Sequence, residues 1–153
     1  MLELPHVLVG AAIGVSVGNP LLSLPLALVS HFITDYVPHW NPHLHTEKTK
    51  LGHITQKSYA IVLTDAIGAL VLGTSIAWLK AQSWQQFVII MLCCFLAVAP
   101  DVVEIPFYFL GMKIKWIEKL ITFQRTHQWN VPAFWGVLAQ VIVSLGALFI
   151  IFA

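Results

Sequence analysis

The sequence predicts an all-α, polytopic membrane helical bundle of about five segments, with one further helix lying on the cytoplasmic membrane surface. Of the 153 residues, 58% are hydrophobic and only 10% are charged, whereas about a quarter of the residues in soluble domains are charged. Several apolar runs are long enough to cross a bilayer, which takes roughly 20 residues in a helix. The length fits a single membrane domain over residues 1–153.

The first two apolar segments, residues 7–17 and 21–36, are shorter than an ordinary span. The turn-forming residues Gly18, Asn19 and Pro20 separate them. We expect either two thin spans or a short re-entrant hairpin, and in both cases the outer ends lie on the same side of the membrane. Three full-length runs follow, over residues 59–80, 86–110 and 131–153.

Residues 113–123 have the pattern of an interfacial helix, with apolar residues on one face and charged residues on the other. The segment 111–130 and the loop 37–58 together carry seven of the eight Lys and Arg residues, and the remaining one is Lys80. Basic loops usually lie on the cytoplasmic side. The pattern therefore predicts a cytoplasmic (inner) membrane location with the N-terminus inside and the C-terminus outside.

Two classes of function receive no support from the sequence. A net charge of +1 gives no reason to expect a nucleic-acid partner. The chain has no His-Glu-x-x-His sequence, which argues against a zincin-type protease.

Acidic and histidine residues occur inside the apolar segments, each toward the predicted cytoplasmic end. His31 and Asp35 are four residues apart and share one helical face. Asp101 and Glu104, three residues apart, also share a face. The further residues of this kind are His6, Asp65 and His127.

Carboxylates within a membrane must be protonated, paired with a cationic group, or bound to a cation. No Lys or Arg lies inside these segments except Lys80 at the far end, so histidines are the available partners. Histidines are also common metal ligands, and one bound divalent ion would compensate several carboxylates at once. Pro100 and Pro106 flank the Asp101–Glu104 pair, and prolines in a membrane helix favour a solvated pocket around it.

Structural alternatives compete with metal binding at each position. His31 and Asp35 could form a hydrogen-bonded helix contact, and Asp65 could cap or bond a neighbouring helix. His127 could be an ordinary loop residue. The loop histidines include His39, which directly follows the His31–Asp35 helix and is the best candidate among them to join a site.

Four short motifs are ordered along the chain: Pro5-His6, Ser30-His31 followed by Asp35, Pro100-Asp101, and Thr126-His127. Together they resemble the inner-membrane family of metal-dependent hydrolases whose bacterial founder is regulated by the LexA repressor. The resemblance implies a membrane hydrolase that uses bound metal, with these residues as ligands. The family favours Pro-Asp-x-Asp-His where this chain ends the motif at Glu104, and a second histidine where this chain has Gln124.

The leading hypothesis is a metal-dependent hydrolase that acts on a lipid-type phosphoester at the cytoplasmic face, with membrane lipid as its partner. The predicted ligands of one or two divalent ions, zinc or manganese, are His6, His31, Asp35, Asp65, Asp101, Glu104 and His127. Glu104 or Asp65 is the candidate general base, and Arg125 the candidate phosphate-binding residue. The alternatives are a proton or cation transporter and a noncatalytic membrane scaffold.

Overall fold

The computed structural model describes residues Met1–Ala153, and its regular elements are all helices. The seven helices are α1 (Glu3–Ser16), α2 (Pro20–Asp35), α3 (Leu44–Leu51), α4 (Gln56–Lys80), α5 (Trp84–Tyr108), α6 (Lys115–His127) and α7 (Ala133–Phe152). The predicted all-α class is confirmed. The short helix α3 was not predicted; it lies in the segment 37–58, which was interpreted as a loop from the sequence, and begins two residues after Pro42.

Three helices, α4, α5 and α7, are long and apolar enough to cross a membrane, as expected of an integral membrane protein. Their outer surfaces carry large apolar side chains such as Leu79 and Phe149, which are 68% and 75% exposed. Soluble proteins rarely expose apolar surface on this scale. Lys80 Nζ lies 4.7 Å from the ring centroid of Phe152, so α4 and α7 end at the same side of the bundle. We call this side the far end and the opposite side, which carries α3 and α6, the loop end.

Helix α1 is the central element of the bundle, because it packs against α2, α4, α5 and α7. Its 14 residues extend about 21 Å at 1.5 Å per residue, less than the roughly 30 Å of a hydrocarbon core. It begins beside Asp65, which is nine residues inside α4. The α1–α2 hairpin therefore has its first residue inside the bundle rather than at the loop end.

Two glycines allow α1 to approach α5 closely. A Cβ atom at Gly10 would lie 2.6 Å from the carbonyl oxygen of Cys93, and one at Gly14 would lie 2.9 Å from Cα of Ile90. Small residues at such positions are how membrane helices bring their backbones together.

Helix α6 lies at the loop end, where Ile117 and Ile121 pack under Tyr108. The helix continues to His127, four residues beyond the predicted end. This extension places Gln124 on the buried face of α6, with consequences for the polar cluster described below.

Replacing Gly10 with valine is expected to lower the stability of the bundle by about 1–3 kcal/mol, the usual cost of overpacking a close contact. Thermal unfolding in detergent measures this change. Gly146→Val is the matched control, because Gly146 lies in the middle of α7 and a Cβ there meets nothing within 4 Å. Equal melting temperatures for the two variants would contradict the close α1–α5 packing.

Candidate metal centre

Asp35, at the end of α2, is the centre of a buried polar cluster. Nε2 of His6 lies 3.3 Å from its Oδ1 atom, Nε2 of His31 lies 3.7 Å from Oδ2, and Nε2 of His39 lies 3.9 Å from Oδ1. All three histidines are almost fully excluded from solvent. Three imidazoles from α1, α2 and the following loop thus point the same nitrogen toward one carboxylate.

The other ring nitrogen of each histidine, Nδ1, forms a hydrogen bond with an oxygen atom. These oxygens are the hydroxyl of Thr34 for His6 (2.8 Å), the carbonyl of Ala97 for His31 (2.9 Å) and the carbonyl of Val37 for His39 (2.8 Å). Thr34 donates its own proton to backbone carbonyls of the preceding turn, so it accepts the proton of His6 Nδ1. With Nδ1 protonated, a neutral imidazole has its lone pair on Nε2. Metal-binding histidines are commonly held in this way by a second hydrogen bond.

His39 provides the clearest unsatisfied group in the cluster. Its Nε2 atom is buried without a hydrogen-bond partner. Leaving such a nitrogen unpaired typically costs about 1–3 kcal/mol. A cation bound by Nε2 would remove that cost.

A parallel β-bridge to Asn130 holds His39 in place. The backbone N–H of His39 donates to Trp129 O (3.0 Å), and its carbonyl accepts from Val131 N–H (3.0 Å). Gly136 of α7 makes room for this loop, because a Cβ there would lie 2.3 Å from the backbone nitrogen of Trp40. The connection between α6 and α7 therefore fixes a side chain that follows α2.

Asp101 of α5 completes the cluster. Its Oδ1 atom lies 3.6 Å from Nε2 of His31, and ligand atoms of His6, His31 and Asp101 all lie within 4.8 Å of one another. We refer to His6, His31, Asp35, His39 and Asp101 together as the candidate metal centre.

Positive charge is scarce around these carboxylates. Every ion pair in the structure involves the cluster, and none includes a Lys or Arg side chain. The cation that contacts Asp35 is the amino group of Met1, which donates to Asp35 and lies 3.4 Å from Nε2 of His6. Apart from the histidines, this amino group is the only positive group paired with a carboxylate of the cluster.

Two glutamines, Gln124 of α6 and Gln128 directly after it, also reach the cluster. Gln128 donates to Asp35 Oδ2 at 3.1 Å, and Gln124 donates to the carboxylate of Glu104. Oε1 of Gln124 lies 2.7 Å from Nε2 of His31. Two acceptor atoms face each other there, and either a proton on the imidazole or a cation bound by both atoms relieves the repulsion.

The structure brings together only part of the predicted ligand set. His6, His31, Asp35 and Asp101 meet, whereas Asp65, Glu104 and His127 do not join them. His127 is turned toward the outside of α6, where its Nδ1 atom lies 2.8 Å from the carbonyl of Phe123 and its ring meets Tyr36. Glu104 is buried one helical turn from Asp101 and is held by Gln124.

Asp65 interacts with the first turn of α1. One of its oxygens lies 2.5 Å from the backbone nitrogen of Glu3 and the other 3.3 Å from that of Leu4. Helix α1 has no capping side chain of its own. Asp65 therefore caps α1 from a neighbouring helix, which was the structural alternative considered for this residue.

Gln124 and Gln128 were not predicted from the sequence, and His39 was named only as the loop histidine best placed to join a site. His39 directly follows α2, but its position depends on the bridge to Asn130. The two glutamines are four residues apart and follow the apolar face of α6, but neutral amides carry no signal of a site.

A cavity of about 530 Å³ opens beside the centre. Its polar lining includes Glu3, Asp65, Asp101, Glu104 and Arg125, and Arg125 is the only Lys or Arg among the lining residues. A Glu3 carboxylate oxygen is buried there without a hydrogen-bond partner.

No protein-family model matches the chain, and neither a curated protein nor a solved structure matches it.

Substitutions at Asp65 separate a capping role from a chemical one. Asp65→Ala is expected to lower stability by about 0.5–2 kcal/mol, the usual cost of a lost helix cap. Asp65→Asn should cost much less, because its amide oxygen can still accept from the first turn of α1. Melting temperatures in detergent provide the comparison, with the exposed neighbour Thr64→Ala as control. An Asn variant as unstable as the Ala variant would show that the negative charge itself is required.

Proposed function

We propose that this chain is a membrane-embedded hydrolase that uses a divalent metal ion, zinc or manganese, to cleave a lipid-type phosphoester. The observation that carries the proposal is the arrangement of His6, His31 and His39. Their Nε2 atoms point toward Asp35, and their Nδ1 atoms form hydrogen bonds with oxygen atoms. The resemblance to metal-dependent membrane hydrolases supports the same class of function.

The residues present fit a divalent ion in number and chemistry. Imidazole nitrogens and carboxylate oxygens together suit zinc or manganese, and no thiolate is near enough to favour a softer metal. The carboxylates of Asp35 and Asp101 would offset the charge of a divalent cation. A divalent ion held by these residues would supply Lewis-acid chemistry for the hydrolysis of a phosphoester.

Other residues of the chain have separate roles in this proposal. Glu104 lines the cavity next to the centre, and its carboxylate is oriented by Gln124, so it is the candidate general base. Arg125 has an exposed side chain at the same cavity and can donate two hydrogen bonds to a phosphate group. Asp65 is a positioning residue, because its cap holds the end of α1 that carries His6.

The proposed substrate class follows from where the centre lies. The cavity is bordered by α4 and α5, two helices able to cross a membrane, and the centre lies near their loop end. An amphiphilic substrate could reach it without leaving the bilayer. The distribution of Lys and Arg supports the cytoplasmic side for this end.

A noncatalytic scaffold is the second candidate, and one observation favours it. The amino group of Met1 contacts Asp35 and can compensate its charge without any metal. In that case the cluster would only hold α1, α2 and α6 together.

Elemental analysis of the purified protein distinguishes these two functions. The hydrolase proposal predicts stoichiometric zinc or manganese after loading and dialysis, and strong loss of the metal in Asp101→Asn and His39→Ala. His53→Ala, in the exposed loop, and His127→Ala should retain it, because neither side chain reaches the centre.

A wild-type protein that holds no divalent metal would overturn the hydrolase proposal and favour the scaffold. If the His53→Ala control lost as much metal as Asp101→Asn and His39→Ala, the metal would be bound outside the candidate metal centre. For a metal-loaded protein, release of phosphate or alcohol from a panel of lipid phosphoesters tests the activity directly, with Glu104→Gln as the variant expected to bind metal but turn over slowly.

A further inference from the structure

The cavity beside the candidate metal centre has two parts of different character. The part nearer the loop end carries the charged groups, including Glu3, Asp101 and Arg125. The deeper part lies between α4 and α5 and has apolar lining residues such as Leu70, Met91 and Phe95. Met91 precedes Asp101 by ten residues in α5, so the apolar part extends about 15 Å from the centre. We call this part the slot.

Small residues of α4 line the slot, and at one of them, Gly73, three helices approach closely. A Cβ at Gly73 would lie 2.8 Å from Cγ1 of Val7 and 3.4 Å from Sγ of Cys94, so α1, α4 and α5 meet there. Nearer the centre, α4 presents the small side chains of Ala66 and Ala69 to the cavity. The apolar and the polar lining residues belong to one cavity, so the slot is continuous with the polar part.

The slot also opens sideways between α4 and α5. Leu70 and Phe95 both line it, yet they are 65% and 53% exposed. Because α4 and α5 are both long and apolar enough to cross a membrane, this opening faces lipid when they do. Apolar cavities offer water few hydrogen bonds and tend to stay dry. Hydrocarbon is the occupant that matches such a lining and such surroundings.

We propose that the slot binds one hydrocarbon chain of a phosphate-bearing membrane lipid, with the head group between Arg125 and the metal centre. The identity of the head group rests on the proposed hydrolase function, whereas chain binding does not. Arg125 supplies the positive charge for the phosphate, and the nearby acids would repel it unless they held a cation. Head-group affinity should therefore depend on metal, and chain affinity should not.

Photolabelling tests the chain site directly. The probe is a lysophosphatidic acid with a diazirine in its acyl chain, added to the full-length protein in nanodiscs, and adducts are mapped by peptide mass spectrometry. We expect adducts concentrated on slot residues such as Met91 and Phe95, in excess of those on the lipid-facing Phe149 of α7. An even distribution over α4, α5 and α7 would overturn the proposal.

Filling the slot provides the matched comparison. Ala66→Phe places a ring in the slot and should abolish the slot adducts, whereas Ala60→Phe, also exposed on α4 but outside the cavity lining, should leave them unchanged. If Ala66→Phe fails to fold, Ala66→Leu fills less of the slot and should reduce the adducts. Adducts that persist in a folded Ala66 variant would contradict the proposal.

An uncharged probe separates this inference from the hydrolase proposal. A fatty alcohol with the same diazirine should label the slot equally with and without loaded metal. Slot labelling in a protein that binds no divalent metal would support the chain site while the hydrolase proposal fails. Metal binding together with uniform labelling would overturn the chain site and leave the hydrolase proposal in place.

Discussion

The arrangement of the segments at the loop end depends on one constraint: the charge of Asp35 must be compensated within an apolar bundle. A carboxylate that is removed from water is costly unless hydrogen bonds and positive charge replace its hydration. Asp35 receives hydrogen bonds from the Met1 amino group and from Gln128, and three imidazoles surround it. These groups come from α1, α2, α6 and the loop after α2. Satisfying one buried charge therefore fixes the relative positions of four parts of the chain.

The same requirement explains why the short helix α1 is central. His6 reaches Asp35 only because α1 begins deep in the bundle, where Asp65 caps its first turn. Gly10 and Gly14 allow the rest of the helix to pack closely against α5. Glycine within a helix costs up to about 1 kcal/mol relative to alanine, and the close backbone approach offsets that cost. The fold of α1 and the geometry of the centre are thus parts of one arrangement.

Helices and helical faces, which depend on local patterns, could be predicted from the sequence. Contacts between segments that are distant in the chain could not, and the structure adds them. The apolar runs predicted the membrane helices, and the i, i+4 spacing placed His31 and Asp35 on one face, as the structure has them. Asp65 became a cap because it meets α1, more than 60 residues away in the chain. The role of His39 depends on its bridge to Asn130, which no local pattern encodes. The rotation of α6 turns Gln124 inward and His127 outward, although the Thr-His motif had drawn attention to the latter.

The most direct test of this account is the metal-edge X-ray absorption spectrum of the zinc-loaded protein. The account predicts imidazole scattering from histidine ligands, with zinc–nitrogen distances of about 2.0–2.1 Å, and a smaller imidazole contribution in His39→Ala. A first shell made only of oxygen atoms, or an imidazole contribution unchanged by the loss of His39, would contradict a centre built around Asp35 and its three histidines.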